Sequence, residues 1–166
     1  MDALDALHLR VSAPKLQAPT PTKSQRQALY RAATRAADHG LMQPWRFLEI
    51  EAQGLEALGE LFLEAALSDD SDLSPAAQEA TKRKPQRAPL ILVAIARCKD
   101  NPKVPHIEQI ISTGAAVQNM LNAAYAQGLG AYWRTGAMAY HRTVHQGLGL
   151  KDGEELIGFL YLGTPS

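Results

Sequence analysis

The chain has 166 residues, of which 46% are hydrophobic and 20% charged, a composition typical of one globular domain spanning 1–166. Seventeen basic residues balance seventeen acidic ones, and this neutrality argues against a nucleic acid as the main partner. A single cysteine excludes an internal disulfide, and neither a membrane span of ~20 apolar residues nor a signal-peptide pattern is visible, so we expect a cytoplasmic protein.

Two helices joined by an extended connection are predicted at the start of the chain. Residues 2–9 repeat leucine at helical spacing. Three prolines between positions 14 and 21 then force the chain into an extended path. Thr22 and Gln25 match the capping box that begins a second helix, in which alanine recurs at every fourth position up to Ala36.

The middle of the chain predicts a strand, a helix and a polar segment. Pro44 introduces a strand over 45–51, and helical spacing returns over 55–67. Residues 68–87 are polar, with acidic residues early and basic residues late. This charge pattern favours a solvated insertion with one short helix, whereas a mobile lid over a pocket is the alternative.

The last part of the chain alternates strands and helices around one long helix. A continuous apolar run over 88–96 predicts a strand that is buried on both faces. The small residues 112–116 within the long helix would let another helix backbone approach it closely. The other predicted elements are the long helix 107–127 ending at Gly128, a short strand over 130–134, a short helix over 141–148 and a final strand over 155–162.

Arg10 and Ser12 are the first residues that suggest a binding site. The planar guanidinium of arginine can hold two phosphate oxygens, and a serine hydroxyl two residues later adds a further donor. A surface arginine followed by a turn serine explains the same pair without a ligand, so the pair alone decides nothing.

A second candidate group follows at the end of the second helix. Spacing of four residues places Arg31, Arg35 and His39 on one face of that predicted helix, near its C-terminus. The helix dipole favours cations there, which is a sufficient structural explanation. His39 also leads into a turn that contains Gln43, and a histidine and a glutamine on such a turn would suit a planar ligand.

Residues 127–136 form the third candidate group, because three glycines allow close backbone approach around a flat side chain. Trp133 offers an apolar wall, and Arg134 with Thr135 repeats the arginine-plus-hydroxyl pairing seen near the N-terminus. The dinucleotide-binding fingerprint is not matched, since no G-x-G-x-x-G follows a strand and opens a helix. A glycine-capped helix that runs into an edge strand is the alternative.

No other motif supplies chemistry of its own. His141 and His145 have the i, i+4 spacing of zinc ligands but lack the glutamate of H-E-x-x-H, so we predict no metal site. Paired catalytic carboxylates, a nucleophile elbow and a phosphate-binding loop are absent from the sequence. If the protein is an enzyme, a cofactor therefore supplies the reactivity, and no side chain is catalytic in the strict sense.

In order and spacing, these groups resemble the nitroreductase family, in particular its minimal YdjA-like branch. That branch has Arg-Arg-Ser near its start, Arg-Ala-Pro-Asp-His before Met-Gln-Pro-Trp, then Ala-Gln-Gly-x-Gly-x-x-Trp-Arg-Ser-Gly and a closing Gly-Phe-Leu-Tyr-Leu-Gly-Thr-Pro. The corresponding segments here are 10–12, 35–39, 42–45, 126–136 and 158–165, so the resemblance covers nearly the whole chain. Three positions depart from it, since Val11 replaces an arginine, Ala37 a proline and Thr135 a serine.

The resemblance implies an α+β fold with a central, mainly antiparallel sheet flanked by helices, in a homodimer that binds FMN between its subunits. One chain would contribute to the FMN site the residues Arg10, Val11, Ser12, Trp133, Arg134 and Thr135. The other chain would contribute Arg35 and His39. Gln127 and Gly128 would belong to the family's contact with the nicotinamide dinucleotide, NADH or NADPH.

The implied activity is the reduction of nitroaromatic, quinone or related electrophilic acceptors, with one pocket used in turn by the reductant and the acceptor, and hence ping-pong kinetics. Loss of a charge-assisted bond at position 11 would weaken FMN binding by ~1.5–3 kcal/mol. This departure leaves an alternative open, a flavin-binding carrier or sensor without turnover. A helical interaction module without a cofactor is a further alternative.

Overall fold

The computed structural model describes all residues from Met1 to Ser166 and shows five strands in one antiparallel sheet with helices on both faces. This α+β arrangement is the predicted fold class. None of the helices combines the length and the apolarity that crossing a membrane requires. In chain order the elements are α1 (Ala3–Leu9), β1 (Leu16–Gln17), α2 (Lys23–Ala33), β2 (Trp45–Glu51), α3 (Gln53–Asp69), α4 (Pro75–Lys82), β3 (Leu90–Arg97), α5 (His106–Ala126), β4 (Gly130–Arg134), α6 (Arg142–Gly147) and β5 (Glu154–Pro165).

The longest strand, β5, organises the sheet because it pairs with three other strands. It runs antiparallel to β3 over most of its length, to β4 from Phe159 to Gly163, and to β1 at its end. β2 pairs with the other side of β3. Since β3 has strands on both sides and helices on both faces, all its residues except Arg97 are buried, which confirms the prediction of a fully buried strand.

Side chains of β3 alternate between two hydrophobic cores, one on each face of the sheet. The even-numbered residues from Leu90 pack with Met120 of α5 and with residues of α2. The odd-numbered residues from Ile91 pack with Phe62 of α3 and with residues of α6. Each large aliphatic side chain that is fully buried in this way contributes ~1.5–3 kcal/mol relative to an exposed one.

Most predicted elements are confirmed to within a few residues. The capping box of α2 is complete, because Thr22 Oγ1 accepts from the Gln25 N–H at 3.3 Å and Gln25 Oε1 accepts from the Thr22 N–H at 2.9 Å. The sheet differs from the prediction in two ways. β5 is longer than predicted and extends to Pro165. Its end also pairs with β1, a short strand that lies within the predicted extended connection. Two residues carry no readable periodicity, so β1 leaves no signal in the sequence.

The end of α2 differs from the prediction. The helix stops at Ala33, and the hydroxyl of Thr34 donates to the carbonyl of Arg31 at 2.9 Å, a local bond that competes with a further helical turn. Arg35 and His39 therefore lie beyond the helix. The prediction that they share a helical face with Arg31 is wrong.

The polar segment 68–87 is only partly a solvated insertion. Residues 68–76 are exposed apart from the half-buried Leu73, and the predicted short helix is α4. The second half of the segment packs on α3, where a Cβ at Gly59 would overlap with the carbonyl oxygen of Lys82. Pro85 is buried in the short turn that precedes β3. The end of this segment is thus held at a defined place beside the sheet.

One ion pair joins β2 to the start of β5. Arg46 Nε and Nη2 donate to the two carboxylate oxygens of Glu154 at 2.7 and 2.6 Å. The Glu154 side chain is only 9% exposed. Hydrogen bonding from Arg46 lowers the pKa of Glu154 below its ordinary value of 4.5, against the opposing effect of burial. Because the folded-state pKa is depressed, the stabilisation is present above the unfolded-state pKa and is lost as pH falls through the folded-state value.

Glu154→Gln is therefore expected to lower the free energy of unfolding at pH 7 by ~1.5–3 kcal/mol, because it removes a charged hydrogen-bond acceptor. The difference from the wild type should shrink well below pH 4.5, where the wild-type carboxylate also becomes protonated. Urea unfolding at pH 7 and pH 3 measures both effects. Glu155→Gln, at the exposed neighbouring position, serves as the control. A difference that is as large at pH 3 as at pH 7 contradicts this assignment.

Candidate functional site

A cavity of about 380 Å³ opens beside the end of β4. Its volume lies within the range of small-molecule sites. Three residues of the third candidate group line it, namely Trp133, Arg134 and Thr135. We call it the Arg134 cavity; its other walls include Phe62, Lys84, Arg87, Tyr132 and Tyr161.

The guanidinium of Arg134 lies over two aromatic rings and lacks a hydrogen-bond acceptor. Its Cζ lies 3.8 Å from the ring centroid of Tyr132 and 5.4 Å from that of Tyr161. Arg134 Nε is the buried side-chain polar atom of the chain that has no partner. Burial raises the pKa of Tyr161, and the nearby charges of Arg134 and Arg87 oppose that rise. A buried donor atom without a partner on a half-buried cation is costly, which points to an acceptor on a ligand.

The indole of Trp133 lies across β5, where a glycine makes room for it. Trp133 Nε1 donates to the carbonyl of Ile157 at 3.2 Å. A Cβ at Gly158 would overlap with this Nε1 and would lie 2.9 Å from the carbonyl oxygen of Arg134. Only glycine at position 158 allows β4 and the indole to sit where they do.

The first candidate group lies beside β4. The N–H of Ala13 donates to the carbonyl of Ala131 at 3.0 Å, which brings the chain after α1 alongside this strand. Ser12 is exposed and Arg10 is half-exposed. Val11 is 66% exposed and lines, with Gly128, a second cavity of about 270 Å³.

Gln127 and Gly128 have structural roles at the end of α5. The Gln127 side-chain amide donates to the carbonyl of Ala123 at 3.0 Å and to that of Gln25 at 3.5 Å, which ties α5 to α2. Gly128 has a φ of +73°, and its N–H donates to the carbonyl of Tyr125 at 2.9 Å, as expected for the glycine that ends a helix. A dinucleotide contact at these two residues stays a prediction.

Arg35 and His39 lie elsewhere and do not line the Arg134 cavity. Arg35 is exposed at a shallow groove that α1 and α5 also line. His39 Nδ1 lies 2.5 Å from a carboxylate oxygen of Glu108, at the start of α5. A single chain therefore brings the segment of the first group alongside β4, but neither Arg10 nor Ser12 lines the Arg134 cavity, and Arg35 and His39 lie elsewhere.

The histidine pair has local structural roles. His141 caps α6, because its Nδ1 accepts from the Thr143 N–H at 3.1 Å, and its Nε2 lies 3.2 Å from Asp69. His145 Nε2 bonds the carbonyl of Ala139 at 2.7 Å. Each ring is thus engaged with its own neighbours.

The sequence model of the nitroreductase family matches residues 10–164. The chain belongs to the nitroreductase family. YdjA of Escherichia coli strain K12, by name an NAD(P)H nitroreductase, is 44% identical over 165 residues, 99% of this chain and 89% of that protein.

Solved structures show the same fold. A nitroreductase-like family protein from Bacillus cereus has a TM-score of 0.82 at 22% identity, with 100% of this chain and 87% of that chain covered. A nitroreductase with bound FMN from Bacteroides fragilis has a TM-score of 0.77 at 18% identity, with 100% and 89% covered. The predicted family and its fold are thus confirmed.

Sequence reasoning missed several residues of this nitroreductase that shape the cavity. Tyr132 stands two residues before Arg134 on β4, so the alternation of a strand places both on one face, and that signal was available. Tyr161 joins them because β4 pairs with β5 in a register that sets Tyr132 opposite it. Phe62 and Arg87 come from other elements, and no pattern in the sequence links them to β4.

Proposed function

We propose that this member of the nitroreductase family is an FMN-dependent NAD(P)H oxidoreductase that reduces nitroaromatic, quinone or related electrophilic acceptors. The unpartnered guanidinium of Arg134 in an aromatic cavity is the observation that carries the proposal. The name of YdjA as an NAD(P)H nitroreductase and the FMN bound by the Bacteroides fragilis relative support it.

The side chains around β4 fit FMN, whose phosphate and ring carbonyls are hydrogen-bond acceptors. Arg134 brings an unsatisfied donor, and Thr135, Ser12 and Arg10 bring donors that face solvent at least in part. FMN, when bound, supplies the two-electron transfer between nicotinamide and acceptor, chemistry that no side chain here provides. With FMN bound, the positive charge of Arg134 would favour the uptake of electrons by the cofactor.

A second copy of the chain would complete the site. α5 exposes Ile107 and Ile111, which are 59% and 62% exposed, and the small residues Gly114 and Ala115 follow on the same helix face. Exposed apolar side chains one turn apart mark a surface that another chain covers. We infer a homodimer through this face.

The same arrangement explains why Arg35 and His39 stand apart from the Arg134 cavity. Arg35 lines a groove with α5, and His39 lies beside Glu108 of α5, so in a dimer built on α5 both residues would flank the interface and would contact the FMN of the partner subunit. An ionised carboxylate only accepts hydrogen bonds, so Glu108 holds a proton on His39 Nδ1 and leaves Nε2 for the ligand.

A flavin-binding protein without turnover is the second candidate function. It rests on Val11, which places an exposed apolar side chain where the family motif has an arginine. One cation fewer at the FMN site weakens cofactor binding without adding any chemistry. A protein that binds FMN but does not oxidise NAD(P)H when an acceptor is added would support this second candidate.

The test is a spectroscopic cycle. Protein reconstituted with FMN should lose its visible absorbance when NADPH or NADH is added without oxygen, and recover it when a nitroarene or a quinone follows. Initial rates at several concentrations of both substrates should give the parallel double-reciprocal lines of a ping-pong mechanism. Absorbance that persists with both nicotinamides contradicts the proposal.

Arg134→Gln is expected to weaken FMN binding ten- to a hundredfold, roughly the loss of one charge-assisted bond of ~1.5–3 kcal/mol. Flavin fluorescence quenching on the apoprotein measures the dissociation constant. Arg83→Gln, which removes an exposed arginine paired with Glu79 outside the cavity, is the matched control. Equal affinities for both variants contradict the assigned role of Arg134.

A further inference from the structure

Two cations of the Arg134 cavity have no part in the function described so far. Lys84 and Arg87 come from the end of the segment before β3 and line the cavity with Arg134. Their neighbours Lys82 and Arg83 each pair with a carboxylate, whereas neither Lys84 nor Arg87 takes part in an ion pair. Within this segment, the two cations that face the cavity are therefore the ones without a carboxylate partner.

The cavity concentrates positive charge on a chain that is neutral overall. No aspartate or glutamate is among its lining residues, although the chain has as many acidic as basic residues. The charges of Arg134 and Arg87 both lower the pKa of Tyr161, against the larger rise that its burial causes. A concave site with one sign of charge focuses the field and attracts the opposite charge.

Much of the remaining wall is aromatic. Phe62, Tyr132 and Tyr161 line the same cavity, and such rings favour a flat apolar ligand. We propose that Lys84 and Arg87 select acceptors that combine an aromatic ring with an anionic group, such as a carboxylate. The inference rests on the proposed function and adds the substrate class.

An anionic group on a flat ligand has two sources, the acceptor or the phosphate of FMN itself, and the experiment separates them. 4-Nitrobenzoate and 4-nitrobenzamide have nearly the same shape and differ by one charge. Isothermal titration calorimetry, carried out with and without FMN, should show that the wild type binds 4-nitrobenzoate more tightly than 4-nitrobenzamide. Turnover of the benzoate should also have the higher kcat/KM. Lys84→Gln/Arg87→Gln should reduce this preference about tenfold, as expected for partly exposed charge-assisted bonds.

Two comparisons make the result specific. Arg83→Gln, on the same segment but outside the cavity, should keep the preference for the benzoate over the benzamide. In the wild type this preference should fall as the NaCl concentration rises.

Four results would contradict either this inference or the proposed function. A double variant that loses affinity for both nitro compounds alike, or that loses only FMN, overturns the proposal and assigns the two cations to the cofactor. Absence of turnover in the wild type would refute the proposed function alone, because calorimetry reads the benzoate preference without turnover. Equal wild-type affinities for both compounds in calorimetry overturn the inference.

Discussion

Gly158→Ala is expected to weaken FMN binding at least tenfold and to destabilise the fold by about 1–3 kcal/mol, the usual range for overpacking. The added Cβ would overlap with Trp133 Nε1 and crowd the carbonyl of Arg134. The indole must then move and lose its bond to the carbonyl of Ile157. Because Trp133 and Arg134 are consecutive on β4, a displaced indole also moves the guanidinium.

Flavin fluorescence quenching and urea unfolding of the same variant measure the two effects. Gly149→Ala is the matched control, since Gly149 has a φ of +69° but no atom within 4 Å of its added Cβ, and it lies outside the cavity. That control should show backbone strain of ~1–2 kcal/mol and unchanged FMN affinity. If Gly158→Ala binds FMN as the wild type does, the position of Trp133 has no bearing on the cofactor.

Replacing Ile107 and Ile111 by glutamate is expected to abolish dimer formation and to lower FMN affinity more than a hundredfold. Both side chains are largely exposed in the single chain, so the fold should survive the change. In the inferred dimer they would be buried, where an unpaired charge costs about 3–5 kcal/mol. A monomer would also lack Arg35 and His39 from the second chain, which are proposed FMN contacts.

Sedimentation velocity gives the mass of the particle, far-ultraviolet circular dichroism checks the fold, and flavin fluorescence gives the affinity. Ala76→Glu, an exposed position on α4, adds the same charge away from α5 and should leave a dimer that binds FMN. A wild type that sediments as a monomer while binding FMN tightly contradicts the interface, and so does a folded dimer of the double glutamate variant.

The site was predictable where it depends on neighbours in sequence. Trp133 and Arg134 are consecutive at the end of β4 and Thr135 follows them directly, so one contiguous motif identified all three. The prediction that Arg31, Arg35 and His39 share one helical face was wrong, because a local hydrogen bond from Thr34 accompanies the end of α2 at Ala33. Helical spacing describes an ideal helix, and it carries no information about where a competing local bond stops that helix.

The sequence by itself determined the family and the type and order of all helices and strands except β1, because periodicity, capping residues and contiguous motifs are local properties. Only the tertiary structure decided which distant side chains meet. Strand register set Tyr161 opposite Tyr132, and the packing of α4 on α3 brought Lys84 and Arg87 to the same cavity. Such meetings depend on the packing of whole elements, and local patterns along the chain do not specify that packing.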